Sequence, residues 1–166
     1  MTIDEMLGTE TTGKPRTIRF KQIRAIFETL TVREVITDYI GARSRVTTSK
    51  EVFELFHFLR NEAKEHFITL HLDGKNRIVC VENVSSGSLN ASIVHPREVF
   101  KSCLLSSAAA VILLHNHPSG DPTPSREDLE LSGRLKEAGE LLGIRILDHI
   151  IIGDGCYVSL ADRGLI

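Results

Sequence analysis

Ala109-Ala110-Val111-Ile112-Leu113-Leu114-His115-Asn116-His117-Pro118-Ser119-Gly120-Asp121-Pro122-Thr123-Pro124-Ser125-Arg126-Glu127-Asp128 contains a strand, a loop and a helix start in one stretch. Ala109 to Leu114 is wholly apolar and short, as in a strand buried on both faces in the middle of a sheet. Asn116 to Pro124 holds three prolines and a glycine, which predicts a stiffened loop. Ser125 and Asp128 then have the S-x-x-D spacing of a capping box. The helix they open is expected from Arg126 to about Leu142, stopped by Gly143.

Working outward, Ile144 to Ile152 predicts another strand, Asp154-Gly155 a turn, and Tyr157 to Leu160 a last strand. On the other side, Pro96 marks a helix start, with Val99, Phe100, Cys103 and Leu104 as its apolar stripe. Ser85-Ser86-Gly87 is expected to turn. Phe67 to Leu72 and Arg77 to Val84 form a hairpin around Asp73-Gly74-Lys75-Asn76. Thr48 and Glu51 repeat the capping-box spacing ahead of Val52, Phe53, Phe56 and Leu59, a helix reaching about Glu62. Two further short helices are expected, one carrying Phe20, Ile23, Ile26, Phe27 and Leu30, the other Val32, Val35, Ile36, Tyr39 and Ile40. Residues 1–13 read as a polar tail. The whole is a mixed α/β sandwich with one sheet, residues 1–45 forming a tail and short helices ahead of a domain over 46–166.

Bulk properties narrow the function. The chain has 166 residues, 42% hydrophobic and 25% charged, which suits one soluble globular core. A formal net charge of -2 gives no global reason to expect nucleic acid or an anionic membrane as partner. The longest apolar run, Ala108 to Leu114, is far short of the ~20 residues that cross a bilayer. No basic region followed by an apolar stretch starts the chain, so no secretory signal is expected. Cys80, Cys103 and Cys156 are odd in number and never in a C-x-x-C pair, which fits a reducing cytoplasm. Trp is absent and aromatics make up 5%, so base-stacking platforms are poorly supplied.

His115 and His117 lie at i and i+2, so an extended chain projects both imidazoles to one side. Such a pair suits Zn²⁺, at ~2.0–2.1 Å per nitrogen. A catalytic zinc takes three protein ligands and keeps one position open. Asp128, returned by the proline-rich loop, is placed to be the third. Capping alone also accounts for Ser125 and Asp128, and the two roles are compatible, with Ser125 at the cap and Asp128 facing inward.

The pattern H-x-H, seven residues, S-x-x-D resembles the JAMM metalloprotease motif without a gap. More narrowly, Val94-His95-Pro96-Arg97-Glu98-Val99-Phe100-Lys101, His115 to Ser125 and Leu147-Asp148-His149-Ile150-Ile151-Ile152-Gly153 resemble the RadC-like JAB domain of bacteria, over roughly residues 46–166. The stretch before that does not resemble the helix-hairpin-helix segment of longer RadC proteins. The resemblance implies a mixed single-sheet JAB/MPN (cytidine-deaminase-like) fold with flanking helices. It implies zinc on His115, His117 and Asp128, with Ser125 supporting the tetrahedral intermediate. It also implies an upstream glutamate as general base. Glu51, Glu54, Glu62, Glu65 and Glu82 are the candidates, and Glu65, at the junction of helix and hairpin, stands where the family places its base. The implied activity is zinc-dependent hydrolysis of a peptide or isopeptide amide bond in a protein or peptide substrate.

Other residues have plainer readings. His149 in its apolar strand reads as a core histidine bonded to its neighbours, His95 as the start of the following helix, and Asp121 as turn chemistry. The alternative function is a metal-stabilised DNA-repair or nucleic-acid-associated binding module, docking phosphates on the basic run Lys14, Arg16, Arg19, Lys21 and Arg24. A purely structural zinc would instead need a fourth donor, from His149 or a cysteine. His115-Asn116-His117 spells HNH by accident, and a zinc deaminase would need H-x-E with P-C-x-x-C, which is absent.

Overall fold

The computed structural model describes residues 45–87 and 94–166. The two short helices expected before Gly41 and the basic run from Lys14 to Arg24 lie outside the described residues. Helix α1 spans Ser49–Phe56 and opens on the expected capping box: the Thr48 hydroxyl accepts from the Glu51 N–H, and Glu51 reaches back to the Thr48 N–H. It does not run to Glu62 as an α-helix. From His57 to Asn61 the chain tightens into a 3-10 turn, with the Glu62 N–H bonded to the Leu59 carbonyl.

Strands β1 (Glu65–Leu72) and β2 (Ile78–Gly87) form the hairpin. Asp73 organises its loop, accepting from the N–H of Lys75 and from both the main chain and guanidinium of Arg77. Those Arg77 bonds hold the Asp73 carboxyl down at about 2. Ser85-Ser86-Gly87 does not turn; it stays in β2 opposite Phe67, His66 and Glu65. Serine and glycine favour turns only while nothing better is offered to their backbone, and here the neighbouring strand offers a ladder.

Helix α2 (Pro96–Leu105) starts on His95, whose Nδ1 accepts from the Arg97 N–H at 3.2 Å. Val99, Phe100 and Cys103 are buried, but Leu104 lies farther round the helix and is half exposed. Strand β3 (Ala110–Asn116) is buried throughout. Helix α3 (Arg126–Leu142) follows, ended by Gly143 at φ 70, a left-handed value that glycine takes without strain. Strands β4 (Arg145–Ile152) and β5 (Tyr157–Ser159) complete one five-stranded sheet in the order β2-β1-β3-β4-β5. Only β3 and β4 pair in parallel, and α3 is the crossover that such a pair needs.

Strand alternation divides the core. Ile68, Leu70, Leu72, Ile112, Leu114, Ile150 and Ile152 pack with α1 on one face. Phe67, Val111 and Leu113 pack on the other with α2 and α3. His115 and His149 have the parity of that second face, so the β3 histidines meet the start of α3 rather than α1.

Candidate metal centre

His115 is the last but one residue of β3, fully buried, stacked beside Phe67. His117 is the first residue past the strand and still continues the ladder, its N–H donating to the Ile152 carbonyl at 2.9 Å. That extension keeps both imidazoles on one side, with Nε2 atoms 2.9 Å apart. The loop then closes on itself. His117 Nδ1 lies 2.7 Å from the Asp121 carbonyl, which can only accept, so His117 carries its proton on Nδ1. The Asp121 carboxylate meanwhile receives the N–H and hydroxyl of Thr123, so this residue serves the turn with its side chain and the site with its backbone.

The proline-rich loop delivers α3 with Ser125 at its cap. Asp128 is the third residue of the helix, and its Oδ2 accepts from the Ser125 N–H at 2.7 Å and the Ser125 hydroxyl at 2.6 Å. The same carboxylate reaches the histidines: Oδ1 lies 3.3 Å from His115 Nε2, and Oδ2 3.5 Å from His117 Nε2. Capping and inward presentation therefore coexist, as expected.

A zinc tetrahedron with ~2.0–2.1 Å bonds has ligand–ligand edges of about 3.3 Å. The three separations here, 2.9, 3.3 and 3.5 Å, bracket that edge. The donor set, two imidazole nitrogens and a carboxylate oxygen, is also one that zinc accepts in catalytic sites. Electrostatics agree. Burial works against ionisation of Asp128, yet hydrogen bonds from His115 and His117 outweigh it and hold the carboxyl far below its ordinary range. The bond to Asp128 raises the pKa of His117, with a smaller contribution from the charge of Glu65. The pocket therefore draws in positive charge, from a proton or from a metal ion.

Glu65 opens β1. The antiparallel register pairs Phe67 with His115, so Glu65 falls opposite the position His117 takes beyond the end of β3. Asn116 fixes that alignment: its amide donates to the Lys64 carbonyl at 3.0 Å and accepts from the His66 N–H at 2.8 Å, bracketing Glu65. The other glutamates are occupied elsewhere. Glu51 caps α1, Glu54 faces Lys50, Glu62 faces His66, and Glu82 sits on β2 opposite Thr69.

His149 is a fully buried core histidine bonded to its neighbours, as read from the sequence, but one neighbour is His115. Burial lowers its pKa well below the usual range. With both ring nitrogens engaged it is no fourth donor. Among the described residues His115, His117 and Asp128 form a group whose ligand atoms lie close enough together to hold a metal ion, with no cysteine in it. Sequence reasoning missed Asn116, Ser132 and the Asp121 carbonyl. Ser132, one turn beyond Asp128, left only its spacing as a signal, and backbone carbonyls leave none.

Fold and donors together define an α/β domain with a single mixed sheet and a two-histidine, one-aspartate centre at the end of its middle strand. The chain belongs to the RadC-like JAB domain family, which matches it over residues 46–165. Relatives bearing the name UPF0758 protein include one from Geotalea uraniireducens, 62% identical over 122 residues, covering 73% of this chain and 54% of that protein. Another, from Trichlorobacter lovleyi, is 63% identical over 123 residues, 74% of this chain and 54% of its own. A third, from Methanosarcina mazei, is 56% identical over 146 residues, 87% of this chain and 63% of its own. The chain thus spans a little over half the length of the curated relatives it matches. No helix among the described residues is long and apolar enough to cross a membrane.

Proposed function

We propose that this chain is a cytoplasmic zinc-dependent hydrolase of the JAMM type, cleaving a peptide or isopeptide amide bond in a protein or peptide substrate. The observation that carries this reading is the convergence of two imidazole nitrogens and one carboxylate within 2.9–3.5 Å of each other. Zinc at this triad would supply Lewis acidity, polarising an amide carbonyl and lowering the pKa of water toward ~7. Glu65 takes the proton from the attacking water and returns it to the leaving nitrogen as the C–N bond breaks. Ser125 turns its hydroxyl from Asp128 toward the oxygen that gains charge. His115 and His117 direct their Nε2 atoms onto the site.

The test is zinc stoichiometry on the full chain. One zinc per wild-type chain, lost in His117→Ala, is the expected result, together with release of amines from a chromophoric peptide library by the zinc-loaded wild type. Full zinc occupancy in His117→Ala, or no zinc in the wild type, would overturn the assignment.

A further inference from the structure

Behind His115 runs a buried polar chain. Its Nδ1 lies 2.8 Å from Nε2 of His149, and Nδ1 of His149 lies 2.6 Å from the Ser132 hydroxyl. Ser132 in turn lies 2.6 Å from the main-chain carbonyl of Asp128. His115, Ser132 and His149 are each at most 1% exposed. The chain starts at one metal-ligand candidate and ends on the backbone of another, crossing from β3 through β4 to α3.

Proton counting fixes its direction. A hydroxyl has one proton and a carbonyl has none, so two oxygens at 2.6 Å need the Ser132 proton between them. Ser132 therefore donates to Asp128 and accepts from His149 Nδ1–H. A second proton on His149 would place a cation in the core with no carboxylate on either ring nitrogen, which is costly. His149 Nε2 is then a bare acceptor, and the proton of the His115–His149 bond belongs to His115 Nδ1. His115 therefore donates from Nδ1 and turns Nε2 toward His117 and Asp128. His117 reaches the same state by its own bond to the Asp121 carbonyl.

We infer that Ser132 and His149 are positioning residues, a relay that holds a proton on His115 Nδ1 and couples the orientation of its ring to the backbone of Asp128. The value of the relay for metal binding rests on the zinc reading above; the tautomer assignment does not. Partners in this position behind a metal-bound imidazole typically contribute 10–100-fold to metal affinity.

Two measurements on the full chain test it: zinc affinity by competition with a chromophoric chelator, and ring-nitrogen NMR shifts of the metal-free protein, which report each tautomer. Ser132→Ala and His149→Leu should bind zinc roughly 10–100-fold more weakly and lose the single His115 tautomer. Ser132→Thr keeps the hydroxyl, and His149→Gln offers an acceptor to His115 and a donor to Ser132, so both should stay near wild type. Should His149→Leu fail to fold, Ser132→Ala decides. Unchanged affinity and tautomer in folded Ser132→Ala, or a wild-type His115 with no proton on Nδ1, would overturn the relay. A wild type that takes no zinc yet shows Nδ1–H His115, lost in Ser132→Ala, would support the relay and sink the zinc reading alone.

Discussion

The hydroxyl of Ser125 donates to Oδ2 of Asp128 at 2.6 Å, and the Asp128 N–H donates back to the same hydroxyl oxygen at 3.1 Å. The Asp128 carboxylate thus holds the cap residue by its N–H and hydroxyl while offering its oxygens to His115 and His117. The two duties can be separated. Asn at position 128 keeps an acceptor for the cap but loses the charge, so Asp128→Asn should leave α3 folded and weaken zinc binding by at least tenfold. Ser125→Ala removes the cap and should cost about 1 kcal/mol of stability, with a smaller loss of zinc affinity. Urea unfolding and chelator competition on both variants check this; equal zinc affinity in Asp128→Asn and wild type would exclude Asp128 as a ligand.

Glu65 offers a cleaner split between binding and chemistry. It lies outside the triad, so Glu65→Gln should retain one zinc per chain and lose hydrolysis, with turnover down by roughly 10²–10⁴-fold. Unchanged turnover would rule it out as the base. Asn116→Leu should imitate part of that effect, because the bracket on Lys64 and His66 goes with the amide. Its signature would be turnover falling more than zinc affinity.

The pH dependence of the metal-free chain should be two-sided. His117 has a raised pKa when folded, owing first to its bond to Asp128, so its contribution is complete below ~6.5 and lost as pH rises through the raised value. His149 and His71 are lowered by burial. They stay neutral when folded while the unfolded chain protonates below ~6.5, so stability also falls on the acid side. Asp128, held far below the ordinary range, adds a further loss below ~4. Urea midpoints in chelator should therefore peak near pH 6.5. His117→Asn should flatten the alkaline limb and leave the acid limb; an unchanged alkaline limb would contradict the His117–Asp128 pairing.

Much of this was legible in the sequence because local signals and global packing agreed. Ser125-to-Asp128 and Thr48-to-Glu51 announced helix starts, Gly143 a stop, and the apolar Ala109–Leu114 a central strand. The i, i+2 spacing of His115 and His117 was sufficient to place two imidazoles together. What escaped depended on long-range register. Ser85-Ser86-Gly87 became strand only because Glu65 to Phe67 needed partners. His149 met His115 because parallel pairing sets it beside Leu113, one step along the same face. Leu104 missed the core by a rotation too small for a sequence stripe to resolve.

Gly153 illustrates how far from the donors the site is held. A Cβ there would run into the Gly120 carbonyl oxygen and approach Pro122 Cδ at 2.7 Å and Pro122 N at 3.1 Å. These atoms belong to backbone or to a ring fused with it, so the 117–125 loop has to move as a body. That loop presents the Asp121 carbonyl to His117 Nδ1 and is stitched to the next turn by the Asp154 N–H on Gly120. Gly153→Ala should accordingly cost about 1–3 kcal/mol and lower zinc affinity, although residue 153 touches no ligand. Gly74 has open space around it and makes the control, and Gly74→Ala should stay within about 0.5 kcal/mol of wild type. Thermal or urea unfolding alongside chelator competition reads both effects. If Gly153→Ala lost stability yet bound zinc as tightly as wild type, the loop would be a structural brace with no part in aiming His117.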